Sequence, residues 1–156
     1  MDFESSLAIF EAKGGIDARA IAEQFWRIGD DAAFETYMRV CMPLYNTRPA
    51  QDGENARARA VMRREVYRHF SLPGCEMHGM DFRPVLNRIA CPVLVLAGAE
   101  DPITPPHLSQ EILVSLQPGT GSLWVFDNCG HGAFRDSPSE VLPVIREFIA
   151  KIGAGA

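Results

Sequence analysis

The chain has 156 residues, of which 47% are apolar and 22% are charged, and its formal net charge is −5. This length falls within the usual range of about 100–200 residues for one domain. Because the charge balance is acidic and no basic block occurs, nucleic acid is not an expected partner. The longest apolar run, Ile89 to Ala99, is shorter than the about 20 residues of a membrane helix, so no membrane partner is expected.

The four cysteines form no C-x-x-C pair, and the first residues are acidic where a signal peptide would carry Lys or Arg. We therefore expect a cytoplasmic protein with reduced thiols. Cys75 with His78, and Cys129 with His131, could be imagined as zinc ligands. A structural zinc site needs four well-spaced ligands, however, and no metal or cofactor is expected.

The first part of the chain shows apolar residues at helical spacing and no strand pattern before residue 90. Asp residues precede two of these segments, where they can act as N-caps, and Gly or Pro residues end them. The predicted elements are an apolar segment from Leu7 to Gly14-Gly15, a helix capped by Asp17, a helix capped by Asp30 or Asp31 and ended by Pro43, and a helix from about Glu54 to Phe70 with an apolar stripe at Val61, Met62, Val66 and Phe70.

A buried strand is predicted near the middle of the chain. Val93 to Leu96 are consecutive large apolar residues, which suits a strand at 92–97 covered on both faces in a parallel sheet. Gly98 and the prolines from Pro102 onward prevent its continuation. Asp101 therefore lies just beyond the carboxyl end of a strand, where open α/β sheets place their chemistry.

A second strand at Ser122–Phe126 is followed by a loop that contains His131. The segment Pro106–Leu116 between the two strands has helical spacing. A strand-helix-strand unit of this length has a right-handed crossover, so the two strands run parallel and end at the same edge. Asp101 and His131 should therefore meet. A final helix is predicted from Pro138, with Val141, Ile145, Phe148 and Ile149 facing the sheet.

A carboxylate that hydrogen-bonds one imidazole nitrogen fixes the tautomer and leaves the other nitrogen as a base. Asp101 and His131 would thus form two thirds of a Ser-His-Asp triad. Glu100 is the rival acid, but it should point to the opposite face. Of the remaining candidates, Asp127 and Asp136 lie near the base, with Asp136 more suited to capping the last helix, while His69, His78 and His107 are expected at the surface.

Three segments carry a family resemblance: Val93-Leu-Val-Leu-Ala-Gly-Ala-Glu-Asp-Pro-Ile-Thr-Pro-Pro106, Gly130-His-Gly-Ala-Phe-Arg-Asp-Ser-Pro138 and Ile145-Arg-Glu-Phe-Ile149. Together they resemble the C-terminal end of an α/β-hydrolase, and most of all the proline iminopeptidase-like branch. The resemblance implies an α/β fold in which a helical lid precedes a βαβα piece of the hydrolase core. The implied division is a lid at 1–72, a linker and short helix at 73–90, the core piece at 91–151 and a frayed tail at 152–156.

The family's nucleophile motif is missing from this sequence. In the family the triad runs in the order Ser, acid, His, with the Ser in a G-x-S-x-G elbow, and no Ser or Cys here has Gly at both flanking positions. We expect the nucleophile and the oxyanion-hole loop upstream of Met1. The resemblance then implies that the chain is part of a serine hydrolase and is inactive alone. Joined to its missing part, it would cleave peptide, amide or ester bonds of a small-molecule or peptide substrate.

Two further expectations follow from this assignment. In the iminopeptidase branch, lid acids hold the substrate's free amino group, and Glu35, Glu54 and Glu65 are possible counterparts, although a solvated helix residue is the favoured interpretation of each. Without upstream strands, the strand at 92–97 would expose an apolar edge that invites pairing. We expect a partner chain or a second copy, in a homo-oligomer, to cover it. The alternative to an enzyme part is a non-catalytic, self-associating interaction protein.

Overall fold

The computed structural model describes residues 3–48, 61, 63–72 and 74–154. In chain order the helices and strands are α1 (Phe3–Arg27), α2 (Asp31–Val40), a 3-10 helix (Met42–Tyr45), α3 (Arg64–Ser71), α4 (Glu76–Gly79), α5 (Arg83–Leu86), β1 (Val93–Gly98), α6 (Pro106–Ser115), β2 (Gly121–Phe126), α7 (Ala133–Asp136) and α8 (Pro138–Ala154). The protein is therefore mainly helical with a small parallel sheet, which is compatible with the α/β class.

Helix α1 covers both the apolar segment predicted from Leu7 and the helix predicted after Asp17, and α2 covers the next predicted helix. The expected break at Gly14-Gly15 appears as a kink inside α1, where Gly15 takes φ 76° and leaves the helical conformation. Asp30 caps α2, because its Oδ1 accepts the backbone N–H of Ala33 at 2.7 Å. The 3-10 helix that contains Pro43 follows α2, as expected from a residue that cannot continue an α-helix.

The predicted helix over Glu54–Phe70 is described only in part. Residues 49–60 lie outside the described residues, and α3 runs from Arg64 to Ser71. The predicted apolar stripe is wrong for Val61, Val66 and Phe70, which are 81%, 53% and 38% exposed. Among the described side chains of α3, that of Tyr67 packs inward, and its ring stacks on Phe25 at 5.5 Å.

An aromatic cluster fills the space between α1, α2 and the 3-10 helix. Its fully buried members include Phe10 and Tyr37, which are 0% and 2% exposed, and Cys41 and Leu7 lie among them. Phe25 stacks on Tyr37 with ring centroids 4.2 Å apart. Ile103, from the loop after β1, packs against the same cluster, so the helical part and the end of the sheet share one contact surface.

The sheet has two parallel strands, paired in register from Val93 opposite Gly121 to Gly98 opposite Phe126. This confirms the predicted parallel pairing across the α6 crossover. A second core lies beneath it, formed by Phe126, Cys129, Ala133 and Val141 with Leu96, Val144 and Ile145 around them. Within α8 the predicted sheet-facing stripe fails at Ile149, which is 61% exposed.

The strands are less covered than predicted. Val93 to Leu96 are only half-buried rather than enclosed on both faces. On β2, Trp124 and Val125 are 49% and 44% exposed. The reason is the width of the sheet, since each strand has a neighbour on one side only among the described residues.

Candidate active site

Asp101 and His131 meet at the carboxyl end of the two strands. The Nδ1 atom of His131 lies 3.0 Å from Oδ2 and 3.2 Å from Oδ1 of Asp101. Both residues belong to loops that leave neighbouring parallel strands at the same edge, as the βαβ topology requires. The structure thus brings together the two residues singled out from the sequence.

The carboxylate of Asp101 is held firmly in place. Its Oδ1 accepts the backbone N–H groups of Ile103 and Thr104 at 2.8 and 2.9 Å, and its Oδ2 accepts the hydroxyl of Thr104 at 2.7 Å. The residue is 4% exposed. Burial alone would raise the pKa of Asp101, but the hydrogen bonds from His131, Thr104 and Ile103 outweigh it and leave the pKa below its ordinary value. Asp101 therefore stays ionised beside the imidazole.

The contact with Asp101 and a partly exposed side chain suit His131 to accept a proton. The hydrogen bond that His131 donates to the Asp101 carboxylate raises the pKa of His131, and this outweighs the opposing effect of burial. The side chain keeps 43% of its surface exposed. With Nδ1–H donated to the carboxylate, the tautomer is fixed and Nε2 carries the free lone pair. In the pair Asp101 and His131, called the dyad below, the carboxylate can orient the ring and stabilise an imidazolium.

Main-chain and side-chain contacts from the end of the 3-10 helix position the His131 loop. The backbone N–H of His131 donates to the carbonyl of Tyr45 at 2.6 Å, and Asn46 Nδ2 donates to the carbonyl of His131 at 3.0 Å. Thr47 Oγ1 donates to the carbonyl of Asn128 at 2.6 Å. The ring of Tyr45 also meets the imidazole edge-on, with centroids 5.6 Å apart. Sequence reasoning did not find these residues, because nothing in their local pattern marks them.

Asp136 has a different position from the one predicted. It does not cap the last helix; it is 1% exposed and its Oδ2 accepts the backbone N–H groups of Gly130 and Thr47 at 2.7 and 3.0 Å. Burial opposes ionisation, but these hydrogen bonds leave the pKa of Asp136 below its ordinary value. Ser137 stands at the start of α8 instead, and its carbonyl accepts the N–H of Val141. Asp136 therefore ties the His131 loop to the segment after the 3-10 helix.

Two glycines allow the loops to approach each other. A Cβ atom on Gly98 would lie 2.3 Å from the carbonyl oxygen of Gly130, and one on Gly130 would lie 2.1 Å from that of Tyr45. Gly98 was predicted to break the strand, yet it is the last residue of β1. Its missing side chain is what lets the strand end pass close to the His131 loop.

The other predicted candidates lie away from the dyad. Glu100 makes no contact with His131 among the described hydrogen bonds, and its carbonyl accepts Nζ of Lys13 at 3.3 Å. Glu35 and Glu65 are exposed, as are His69, His78 and His107. Glu54 lies outside the described residues.

A cavity of about 250 Å³ adjoins the dyad. Neither Asp101 nor His131 is among its described lining residues, but two lining residues contact them: Ile103 donates its N–H to Asp101, and the ring of Tyr45 meets that of His131. Its walls are aromatic rings, thioethers and one isoleucine, with a histidine at an exposed position. The described lining residues are Phe3, Phe25, Trp26, Phe34, Tyr37, Met38, Met42, Tyr45, Tyr67, Met77, His78 and Ile103.

Neither a metal-binding cluster nor a membrane-spanning helix is found in the described part of the chain. The four cysteines are free thiols, and no three His, Cys, Asp or Glu side chains are grouped so that they could hold a metal ion there. None of the helices in those residues combines the length and the apolar character needed to cross a bilayer.

Two curated proteins are similar to part of this chain. BpoC of Mycobacterium tuberculosis, assigned by name only as a non-heme bromoperoxidase, is 34% identical over 71 residues, which cover 46% of this chain and 26% of that protein. A proline iminopeptidase of Lactobacillus crispatus is 28% identical over 78 residues, which cover 49% of this chain and 25% of that protein. No protein-family model matches the chain, and no solved structure matches it significantly.

These partial similarities support a relation of the chain to the α/β-hydrolase superfamily, to which both named proteins belong. The matched stretch spans only about a quarter of the length of these curated relatives. The similarities do not separate one branch of the superfamily from another.

Proposed function

We propose that this chain is the C-terminal portion of a serine hydrolase of the α/β-hydrolase superfamily and supplies the acid and the base of its triad. The observation that carries the proposal is the contact of His131 Nδ1 with the buried carboxylate of Asp101 at 3.0 Å. In the proposed division, residues 1–72 are the lid and residues 91–151 are the core piece. The iminopeptidase-like branch, with a peptide, amide or ester bond as the target, is proposed from the sequence motifs around Asp101 and His131, and the partial similarity to a proline iminopeptidase is compatible with it.

In the proposed mechanism, His131 acts first as a base and then as an acid. Its Nε2 accepts the proton of a serine hydroxyl as that oxygen attacks the carbonyl carbon, and later delivers the proton to the leaving group. Asp101 keeps the ring oriented and stabilises the imidazolium without becoming protonated itself. The serine and the oxyanion donors are proposed to lie on a segment outside this sequence, because the sequence contains no G-x-S-x-G elbow.

A fluorophosphonate probe, which labels an activated serine, tests this proposal. The chain alone should not be labelled, whereas the chain joined to an upstream segment that carries a G-x-S-x-G elbow should be. In the joined protein, His131→Ala should slow labelling by at least about 10⁴-fold, because the members of a triad act as a unit.

Glu100→Gln is the matched control, since Glu100 neighbours Asp101 but does not contact His131, and it should leave labelling unchanged. Labelling of the chain alone, or labelling of the joined protein that His131→Ala leaves intact, would overturn the proposal.

The alternative function is a non-catalytic, self-associating interaction protein. The observation that favours it is the exposed apolar surface of the sheet, where Trp124 is 49% exposed and β1 has one neighbour in the described chain. An open strand edge of this kind pairs readily with another chain. A second copy or a separate partner chain would then cover the strand at 92–97.

Sedimentation of the dilute chain separates the two candidates. A stable homo-oligomer whose assembly is lost in Leu94→Lys, together with no labelling after joining, would favour self-association. A well-folded monomer at micromolar dilution would contradict it.

A further inference from the structure

We propose that the cavity beside the dyad is a binding site for an uncharged aromatic group, such as the benzyl or naphthyl part of an ester or amide. The site is defined by its lining and is independent of any reaction. Its assignment as the place where the substrate's side group binds rests on the function proposed above. The proposal departs from the amine-binding lid that the iminopeptidase resemblance implies.

The size of the cavity suits one or two fused rings. Its volume is about 250 Å³. Dry apolar cavities of about 150 Å³ in other proteins take up benzene. Met77, which is 44% exposed, lies in the lining, so a ligand has a route from solvent.

The charge of the lining disfavours an ionic ligand. The described lining side chains include no Asp, Glu, Lys or Arg. Burial raises the pKa of Tyr37, and it raises the pKa of Tyr67 to about 12, so both phenols are neutral at physiological pH. A ligand ammonium would lose its hydration here without gaining a carboxylate partner from these residues.

The packing of the rings also disfavours a cation. A cation binds over the face of an aromatic ring. Here the face contacts of Phe25 are made within the cluster, because Phe25 stacks on Tyr37 at 4.2 Å and on Tyr67 at 5.5 Å, with interplanar angles of 25° and 16°. Ring edges, which carry partial positive charge, are suited to the face of an aromatic ligand instead.

Three thioethers add to the preference for an aromatic ring. Met38, Met42 and Met77 line the cavity. Sulfur makes favourable contacts with aromatic rings, and the unbranched methionine side chain adapts to the shape of a ligand. A flat aromatic group therefore gains more here than an aliphatic group of the same size.

The cavity is placed to present the ligand to the dyad. Ile103 lines it and donates its N–H to Asp101 at 2.8 Å, while Tyr45 lines it and its carbonyl accepts the N–H of His131 at 2.6 Å. An aromatic group in the cavity would therefore lie within one residue of both members of the dyad. Glu35 and Glu65, the described lid acids considered for an amine, are absent from the lining.

Methyl NMR of the full chain labelled with [methyl-13C]methionine tests the site without any need for activity. The probes are benzyl alcohol, benzylammonium and cyclohexylmethanol. Cyclohexylmethanol is the aliphatic control and should bind more weakly than benzyl alcohol. We expect benzyl alcohol to shift the Met38 and Met42 signals in a saturable way, and to leave that of Met80, which is outside the lining, in place. Benzylammonium should bind at least about tenfold more weakly than benzyl alcohol.

Met38→Trp, which fills the cavity, should abolish the saturable shift at Met42, and Ile149→Trp, on the exposed surface of α8, should preserve it. A circular dichroism spectrum and a Met80 signal like those of the wild type show that Met38→Trp is folded. If it is not, Phe34→Ala serves instead, and binding of naphthalenemethanol should improve in the enlarged cavity. Equal or tighter binding of benzylammonium, equal shifts at Met80 and Met38, or no saturable shift would overturn the proposal.

The outcomes separate this proposal from the proposed function. Saturable binding without labelling of the joined protein would remove the hydrolase assignment and support the cavity as an aromatic site. Labelling that depends on His131, without aromatic binding, would support the hydrolase and overturn the aromatic site.

Discussion

The helical region and the sheet bury their apolar residues to very different extents. In the helical region, Phe10 and Tyr37 are 0% and 2% exposed, within a cluster built from α1, α2 and the 3-10 helix. On β2 of the sheet, Trp124 and Val125 are 49% and 44% exposed. The first region encloses its aromatic side chains, whereas the second has a core on α8 but leaves apolar side chains of β2 exposed. The dyad lies where the two regions meet.

The largest predicted effect is in the helical region. Tyr37→Ala should lower the free energy of unfolding by about 3–5 kcal/mol, as for other buried aromatic residues, because it removes a ring packed against Phe10, Phe25 and Trp26. Trp124→Ala in the sheet should cost at most about 1.5 kcal/mol, because half of that side chain is already exposed. Urea denaturation of both variants measures the difference, and equal losses would break the comparison.

A smaller effect is expected where Asp136 joins the two regions. Asp136→Asn should lower the free energy of unfolding by about 2–3 kcal/mol, because the charged acceptor of the Gly130 and Thr47 N–H groups is lost. Asp127→Asn, at an exposed acid in the same loop, is the control and should change it by less than about 0.5 kcal/mol. Similar midpoints for the two variants would show that Asp136 does not hold the loop.

The effect most closely confined to the dyad is the change that Asp101→Asn should cause in the titration of His131. The pKa of His131 should fall from above 6.5 toward or below that ordinary value, because the charged acceptor is lost while burial remains. NMR titration of the imidazole measures this change, with Glu100→Gln as the control. An unchanged His131 titration in Asp101→Asn would show that the contact has no electrostatic effect.

The same contact predicts how stability depends on pH. Because the folded-state pKa of His131 is raised, its contribution is fully present below about pH 6.5 and is lost as the pH rises through the folded value. Because the pKa of Asp101 is lowered, its contribution is present above 3.8 and is lost as the pH falls through the folded value. Both dependences should weaken in Asp101→Asn.

Sequence patterns predicted the features that depend on neighbouring residues and on chain topology. The cap at Asp30, the kink near Gly15 and the strand ends that carry Asp101 and His131 all have local signals. The residues that hold the site in place have none. Asn46 and His131 are 85 positions apart, and Thr47 and Asp136 are 89 apart. Such contacts form only when two regions dock, and a short polar segment between helices gives no sign of them.

The bond from the His131 N–H to the carbonyl of Tyr45 involves main-chain atoms alone. This bond therefore does not itself depend on which side chain stands at position 45. Statistical covariation between homologous chains would register little at such a position, even though the placement of the imidazole depends on it. The bond between the His131 N–H and the Tyr45 carbonyl consequently constrains the backbone conformation, and chains of very different sequence can form the same bond.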